Sequence, residues 1–339
     1  MDKPDRILLA HGSGGKLTYE LITELFVRYF GNPVLNKLDD SAIVDMGDIT
    51  RLAVTTDAYV ITPIFFSGGD IGRLSIFGTV NDISMAGATP LYITASFIIE
   101  EGLSIAELEK VVCSMKEAAD ICNVKIIAGD TKVVNKGACD KIFITTTGIG
   151  VIPEGIDISG CNVRVGDRII VSGNIGSHGL AILSDRDNIK FAKGIVSDCA
   201  PLNTLVADML DTCKHGIHSL RDITRGGLAT ILNEIAKQTN LGIVIHEENI
   251  PVADDVAGSC ELLGMDVLYI ACEGRLVAFV DSEYAYTVLE IMKKNKHAKD
   301  AAIIGEVVSD NTGMVILHTS AGGKRIVDIP YSEQLPRIC

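Results

Sequence analysis

Tyr92-Ile-Thr-Ala-Ser-Phe-Ile-Ile99 is followed by Ser104-Ile-Ala-Glu107 and then by Val124-Lys-Ile-Ile127. The outer two segments are short, apolar and rich in β-branched and aromatic residues, as strands are. Between them Ser104 and Glu107 have the form of a capping box, the serine taking an orphan amide and the glutamate reaching back. Ile105, Leu108, Val112, Met115, Ala119 and Cys122 then recur at spacings of three and four, one apolar helix face. Strand, helix and strand in close succession predict an α/β (α+β) fold.

The alternation continues outward. Leu52–Thr56 reads as a strand ending at Asp57, Arg73–Met85 as a helix closing near Gly87, and Lys141–Thr147 as a strand. Pro153, Gly155 and Gly160 punctuate a stretch without helical period, so the expected domains are 1–155 and 156–329, with a mobile tail at 330–339. In the second half strands are expected at Arg168–Val171, Gly242–His246, Val267–Cys272, Leu276–Val280, Ala302–Val308 and Met314–Leu317. Helices are expected near Gly179–Leu183, Leu202–Asp211, Leu228–Lys237 and Glu283–Lys293. Pro330 and Pro336 oppose a continuous helix in the tail. Extended, the chain from Tyr331 onward reaches roughly 30 Å.

A length of 339 residues suits two domains. Lys and Arg number 30 against 44 Asp and Glu, a formal charge of −14, which argues against a nucleic-acid surface. An anionic ligand that brings its own metal is compatible with that balance. The 33 glycines exceed the usual ~7% and point to positions of special geometry or close ligand approach. The nine cysteines include no Cys-x-x-Cys pair, and the amino terminus has no apolar signal core, so reduced thiols in a cytoplasmic protein are expected. Val267–Val280 is broken by Glu273 and Arg275 and is too short to span a bilayer.

Two glycine motifs fail as phosphate fingerprints. His11-Gly-Ser-Gly-Gly-Lys16 has Ala10 and Leu17 where a P-loop needs Gly and Ser or Thr, and Leu17 also breaks the dinucleotide pattern. Gly322-Gly323-Lys324 reads as a hairpin turn. Acidic motifs are more telling: Asp39-Asp40-Ser41-Ala42, Thr55-Thr56-Asp57, Asn81-Asp82 and Gly129-Asp130-Thr131-Lys132. Each aspartate alone fits a helix cap or a turn. As a set converging from strand ends and loops, they suit Mg²⁺ with bound phosphates, which needs only one or two carboxylates per ion.

These motifs, with Asn81-Asp82-Ile-Ser-Met-Ala-Gly87-Ala88, Gly176-Ser-His178-Gly179, Arg221-Asp222-Ile-Thr224-Arg225-Gly226-Gly227 and Leu232-Asn-Glu-Ile-Ala236, resemble the ATP-using superfamily of aminoimidazole ribonucleotide synthetase. With Pro336-Arg337-Ile338-Cys339 at the end, the chain is most similar to the HypE family of hydrogenase maturation proteins. The resemblance runs over nearly the whole chain. It implies an N-terminal domain joining a second copy in a dimeric β-barrel flanked by helices, and a C-terminal α/β domain. It also implies a homodimer that accepts a carbamoyl group on Cys339 from a HypF-like carbamoyltransferase. ATP-dependent dehydration then gives a thiocyanate, whose cyanide passes to iron in a HypC–HypD complex. Membrane partners are not expected.

Such chemistry needs groups that hold Mg²⁺ and ATP and a group that moves a proton. Asp57, Asp82, Asp130 and Asp40 are the metal candidates. Asn81, Gly129 and Thr131 are candidates for phosphate or ribose contacts, with Lys16 from the glycine-rich loop. Lys132 would steady phosphoryl oxygens or move the proton. Glu273 is the other candidate base; without the resemblance it reads equally as a surface hairpin turn. The resemblance implies that Cys339 is the carrier; it is not fourth from the end, as a prenylated cysteine must be, so lipidation is not expected. Thiamine-monophosphate kinase shares the acidic motifs without the terminal cysteine. Selenophosphate synthetase has its nucleophile in the N-terminal loop, whereas the first cysteine here is Cys113. An ATP-binding scaffold without turnover is the alternative of another class.

Overall fold

The computed structural model describes residues 15–30, 32–45, 51–189, 191, 194–329, 335, 338 and 339. The opening motif is a βαβ unit. Strand β5 (Thr89–Glu100) and strand β6 (Lys125–Val134) pair in parallel around helix α4 (Ile105–Cys122). Ser104 caps α4 as expected: its Oγ accepts the Glu107 N–H at 3.1 Å and donates to Glu107 Oε2 at 3.0 Å.

The rest of the N-terminal half builds on that unit. Strands β1 (Ala42–Asp45), β2 (Arg51–Tyr59) and β7 (Ile142–Ile152) complete a sheet of order β1-β2-β7-β5-β6. A small hairpin, β3 (Phe65–Phe66) and β4 (Gly69–Asp70), leads into α3 (Ile71–Met85), whose N-cap Asp70 accepts the Gly72 and Arg73 amides. Helix α3 is buried almost all round, as a helix hydrophobic on every side must be. Short helices α1 (Lys16–Leu21) and α2 (Val27–Phe30) precede the sheet. β6 lies at the sheet's edge and nearly every residue of it is exposed.

The C-terminal half holds β8 (Arg168–Val171), β9 (Ile217–Asp222), β10 (Gly242–His246), β11 (Leu276–Val280), β12 (Ala302–Val308), β13 (Val315–His318) and β14 (Lys324–Val327). They form one sheet of order β14-β13-β10-β12-β8-β11-β9, and neither large sheet closes on itself. Its helices are α5 (Ser177–Asp187), α6 (Asn203–Cys213), α7 (Gly227–Thr239), α8 (Asp254–Leu263) and α9 (Ala285–Lys294). Val267–Cys272 is not the expected strand. Asp266 accepts the Leu268 N–H at 3.0 Å and starts a 3-10 turn over Val267–Tyr269. β9 and α8 were not expected.

One core cluster crosses the two halves. Ile71, Leu74 and Met115 share it with Leu180 and Ala271, and with Leu335 and Ile338 of the tail. The tail, expected to be mobile, therefore has its described apolar residues seated inward, because Ile338 is 1% exposed among them. Among the described residues no cysteine is paired in a disulfide, and no helix is long and apolar enough to cross a membrane.

Candidate active site

The site is built where the two halves meet. β2 supplies Asp57, α3 supplies Asp82, the loop before β1 supplies Asp40, and the end of β9 supplies Asp222. The Thr55 hydroxyl donates to Asp82 Oδ2 at 2.8 Å, and the Thr79 hydroxyl to Asp57 Oδ2 at 3.3 Å. Burial raises the Asp57 carboxyl above its usual range, opposed first by the Arg225 charge and then by the Thr79 hydroxyl. Burial pushes the Asp82 carboxyl well above the usual carboxylate range, and the charges of Asp57, Asp222 and Asp40 push it further. Asp222 is raised in the same way by burial, then by Asp40 and Asp57. Asp40 is raised to about 6, because its burial outweighs the Arg221 guanidinium, whose Nε lies 2.8 Å away.

This is the electrostatic profile of a site short of positive charge: buried acids hold protons that a cation would displace. Among the described residues no three potential ligands stand close enough to hold a metal by themselves. Asp57 and Asp82, with Asp40 behind them, nevertheless fit Mg²⁺, which keeps waters and takes phosphate oxygens beside one or two carboxylates. Their oxygens are hard donors, and the cluster lacks the charge a dication supplies.

Beside the acids opens a cleft of about 650 Å³, lined among others by Asp40, Thr55, Arg221, Asp222, Arg225 and Lys237. That volume lies within the ~300–1,000 Å³ of ordinary ligand pockets. Arg221 is held by Asp40 and by Glu234 Oε2, 2.9 Å from its Nη2. The turn into α7 reaches the cleft through Thr224 and Arg225, and the two glycines that follow, Gly226 and Gly227, are both at positive φ. A Cβ on Gly227 would meet the Leu268 carbonyl at 2.5 Å, so only glycine fits.

Glu273 is not a surface turn. It is 4% exposed, and its Oε1 has no hydrogen-bond partner. Burial raises its carboxyl pKa well above normal, with Asp222 and Asp198 adding to burial and Arg225 opposing it. A buried acid with an unpartnered oxygen and a raised pKa has the chemistry of a proton-transfer group, although Glu273 is not among the residues that line the cleft.

Other expected residues stand elsewhere in the chain. Gly129, Asp130, Thr131 and Lys132 lie on the exposed edge strand β6, where Lys132 Nζ pairs with Asp130 Oδ2 at 3.0 Å. That bond, with the Thr131 N–H, holds the Asp130 carboxyl below its usual range, the opposite of the buried acids. Asn81 is committed to backbone. Its amide nitrogen donates to the Ala200 and Glu273 carbonyls at 3.1 and 3.4 Å, and its oxygen accepts the Leu202 N–H at 2.8 Å. It clamps the halves together in place of the expected phosphate contact. Lys16, the first residue of α1, is exposed and pairs with Glu20 at 3.9 Å; Gly15 and Thr18 beside it line the cleft. His11–Gly14 lie outside the described residues. The Cys339 backbone oxygen accepts the Val60 N–H at 3.0 Å, which sets that residue just past the end of β2.

Sequence reasoning missed Asp222 and Arg225 as site residues. Asp222 ends a strand as Asp57 nearly does, but Ile217-His-Ser-Leu-Arg-Asp222 is polar at four of six places although all six are buried, so no strand was legible.

Family models of AIR synthase related proteins match in two parts, the N-terminal domain over residues 38–152 and the C-terminal domain over 164–318. A carbamoyl dehydratase HypE of Bradyrhizobium diazoefficiens is 52% identical over 98% of this chain and 95% of its own length. Among solved structures, HypE in a HypE–HypF complex superposes with a TM-score of 0.87 at 47% identity, covering 91% of this chain and 99% of that one. HypE in complex with ATP superposes at 0.83 and 47% identity, covering 98% and 100%. At that identity and coverage, and with acids and cleft in place, the chain belongs to the HypE family of AIR synthase related proteins.

Proposed function

We propose that this protein is an ATP-dependent carbamoyl dehydratase that acts on the S-carboxamide of its own Cys339. The observation that carries the reading is the seating of Cys339: its backbone oxygen accepts the amide of Val60, the residue next after the strand that carries the buried Asp57. The HypE relatives and the ATP complex support it.

The carboxamide oxygen is a poor leaving group. Attack of that oxygen on the γ-phosphorus of ATP releases ADP, and loss of one N–H proton leaves an O-phosphorylated imidate on sulfur. Loss of the second N–H proton with departure of phosphate gives S–C≡N. The balance is one water's atoms removed and one ATP cleaved to ADP and phosphate. Asp57 and Asp82, with Asp40 near, would hold Mg²⁺, which would supply charge neutralisation of the triphosphate. Arg221, Asp222, Arg225 and Lys237 line the cleft in which the nucleotide sits. Glu273 takes the first N–H proton, the second leaves with the departing phosphate as hydrogen phosphate, and Lys132 assists from β6.

A homodimer is part of the proposal. β6 is an open edge with Ile126, Ile127 and Val133 at 40%, 55% and 67% exposure, a surface that pairing with a second copy would cover. Joining two such sheets would give the dimeric barrel and bury Asp130 and Lys132. A HypF-like protein loads the carbamoyl group, as the HypE–HypF complex of relatives suggests, and a HypC–HypD complex receives the cyanide.

Mass spectrometry of the peptide ending at Cys339 tests this. Loading should add a carbamoyl group, and Mg-ATP should then remove one water. Cys339→Ala should keep ATP binding and form no cyanylated protein; cyanylation in that variant, or water loss at another cysteine, refutes the reading.

A further inference from the structure

The Gly176-Ser-His178-Gly179 motif takes no part in the acid cluster, yet the His178 side chain is fully buried. Gly176, at φ +87°, turns the chain into α5, and the first turn of that helix carries the imidazole. His178 Nε2 lies 2.7 Å from the Ile338 carbonyl oxygen. A carbonyl only accepts, so Nε2 bears the proton. Nδ1 lies 2.8 Å from Ser197 Oγ, and that oxygen accepts the Cys199 N–H at 3.1 Å. The serine proton is then directed at Nδ1, which fixes the neutral Nε2–H tautomer. Burial lowers the imidazole's pKa, in keeping with an uncharged ring. Phe66 meets the ring edge-on, centroids 5.6 Å apart.

The same turn makes room for the tail. A Cβ on Gly179 would stand 2.6 Å from Ile270 Cγ2 and 3.1 Å from Leu335 Cδ1. Leu335 packs there, Ile338 is buried, and the Cys339 oxygen reaches the Val60 amide. Three contacts in a row thus run from α5 to the end of β2.

We propose that His178 is a positioning residue for the carrier cysteine: its Nε2–H, oriented by Ser197, latches the Ile338 backbone and so holds Cys339 at the end of β2. The latch grips a main-chain carbonyl, so it acts alike on the thiol, carbamoyl and cyano forms of the tail. This rests on the carrier role proposed above, but its first readout does not depend on that role.

The test compares three variants of the full chain. His178→Phe keeps a ring and deletes the donor, His178→Gln returns a donor at similar reach, and Ser197→Ala removes only the orienting hydroxyl. Maleimide alkylation of Cys339 is followed by mass on its own peptide, so the exposed Cys113 and Cys161 do not interfere. Losing one buried hydrogen bond corresponds to about a five- to tenfold shift in docked tail. Alkylation should quicken about that much in His178→Phe, less in Ser197→Ala, and return toward the parent rate in His178→Gln. In single turnover with Mg-ATP, water loss from the carbamoylated protein should slow by a similar factor in His178→Phe while loading keeps its rate. Parent-like alkylation in both His178→Phe and Ser197→Ala overturns the latch, as does equal slowing of loading and dehydration. Ser197→Ala keeps the ring and decides the matter if the ring substitution unfolds the chain. If the parent loses no water from Cys339, the carrier reading fails while the alkylation series still judges the latch.

Discussion

Replacing Asp82 by Asn removes one buried acid and keeps an oxygen for the Thr55 hydroxyl. The folded chain holds the pKa values of Asp40, Asp57, Asp82, Asp222 and Glu273 above their unfolded values. A group raised in this way contributes stability below its unfolded pKa, and that contribution is lost as pH rises through its folded pKa. The ligand-free protein must therefore weaken as pH rises from about 4. Asp40, raised from 3.8 to about 6, by itself corresponds to about 3 kcal/mol lost above pH 6. Each acid still protonated in the fold but ionised in the unfolded chain contributes a slope of about 1.4 kcal/mol per pH unit. Asparagine cannot ionise. Asp82→Asn should thus lose stability less steeply than the parent as pH rises above about 4, and the gap between the two should widen with pH. The assay is urea unfolding from pH 5 to 8 at fixed ionic strength, without and with Mg-ATP. Saturating Mg-ATP at a hundred times its Kd should stabilise the parent by about 2.7 kcal/mol and the variant much less. Parallel pH profiles for the two proteins would refute the charge-deficit reasoning.

Other consequences are equally open to measurement. Glu273→Gln should bind ATP and accept the carbamoyl group yet slow water loss at least about a hundredfold, as removal of a proton-transfer group does; an unchanged single-turnover rate assigns the proton elsewhere. Arg221→Met leaves Asp40 and Glu234 without their buried partner and should lower stability by about 3–5 kcal/mol in urea titrations. Most of that loss should return in the Arg221→Met, Asp40→Asn double variant. Ile127→Lys with Val133→Lys should turn a dimer into a monomer by light scattering, and a monomeric parent would contradict the proposed pairing along β6. Gly227→Ala should lower stability by about 1–3 kcal/mol, because its φ of +64° and the Leu268 carbonyl both exclude a side chain.

The βαβ unit was legible because α4 has one wet and one dry face, and because Ser104 and Glu107 mark its start. Asp57 and Asp82 stood out from the motifs around them in sequence, and the structure buries both carboxyls. Helix α8 escaped because Asp254, Asp255 and Glu261 interrupt its short apolar face. Asn81 misled for a different reason. An amide reads as a ligand group when its partners are main-chain atoms more than a hundred residues away. Glu273 was ambiguous because an acid between apolar segments marks a turn or a buried group alike, and only the packing of Asp198, Asp222 and Arg225 around it decides. Likewise the seating of the tail depends on α5, which no local pattern near Cys339 announces.

The core shared across the halves has a consequence for dissection. A cut after residue 155 would follow the gap between the two family matches, yet it would bare Ile71, Leu74 and Met115 to water and strip Asn81 of all three main-chain partners. The complementary fragment would keep Ile338 and His178 but lose the Val60 amide that receives Cys339. Two modules recognisable as separate sequences should thus melt as one cooperative unit, and either half alone should lack part of the core it shares with the other.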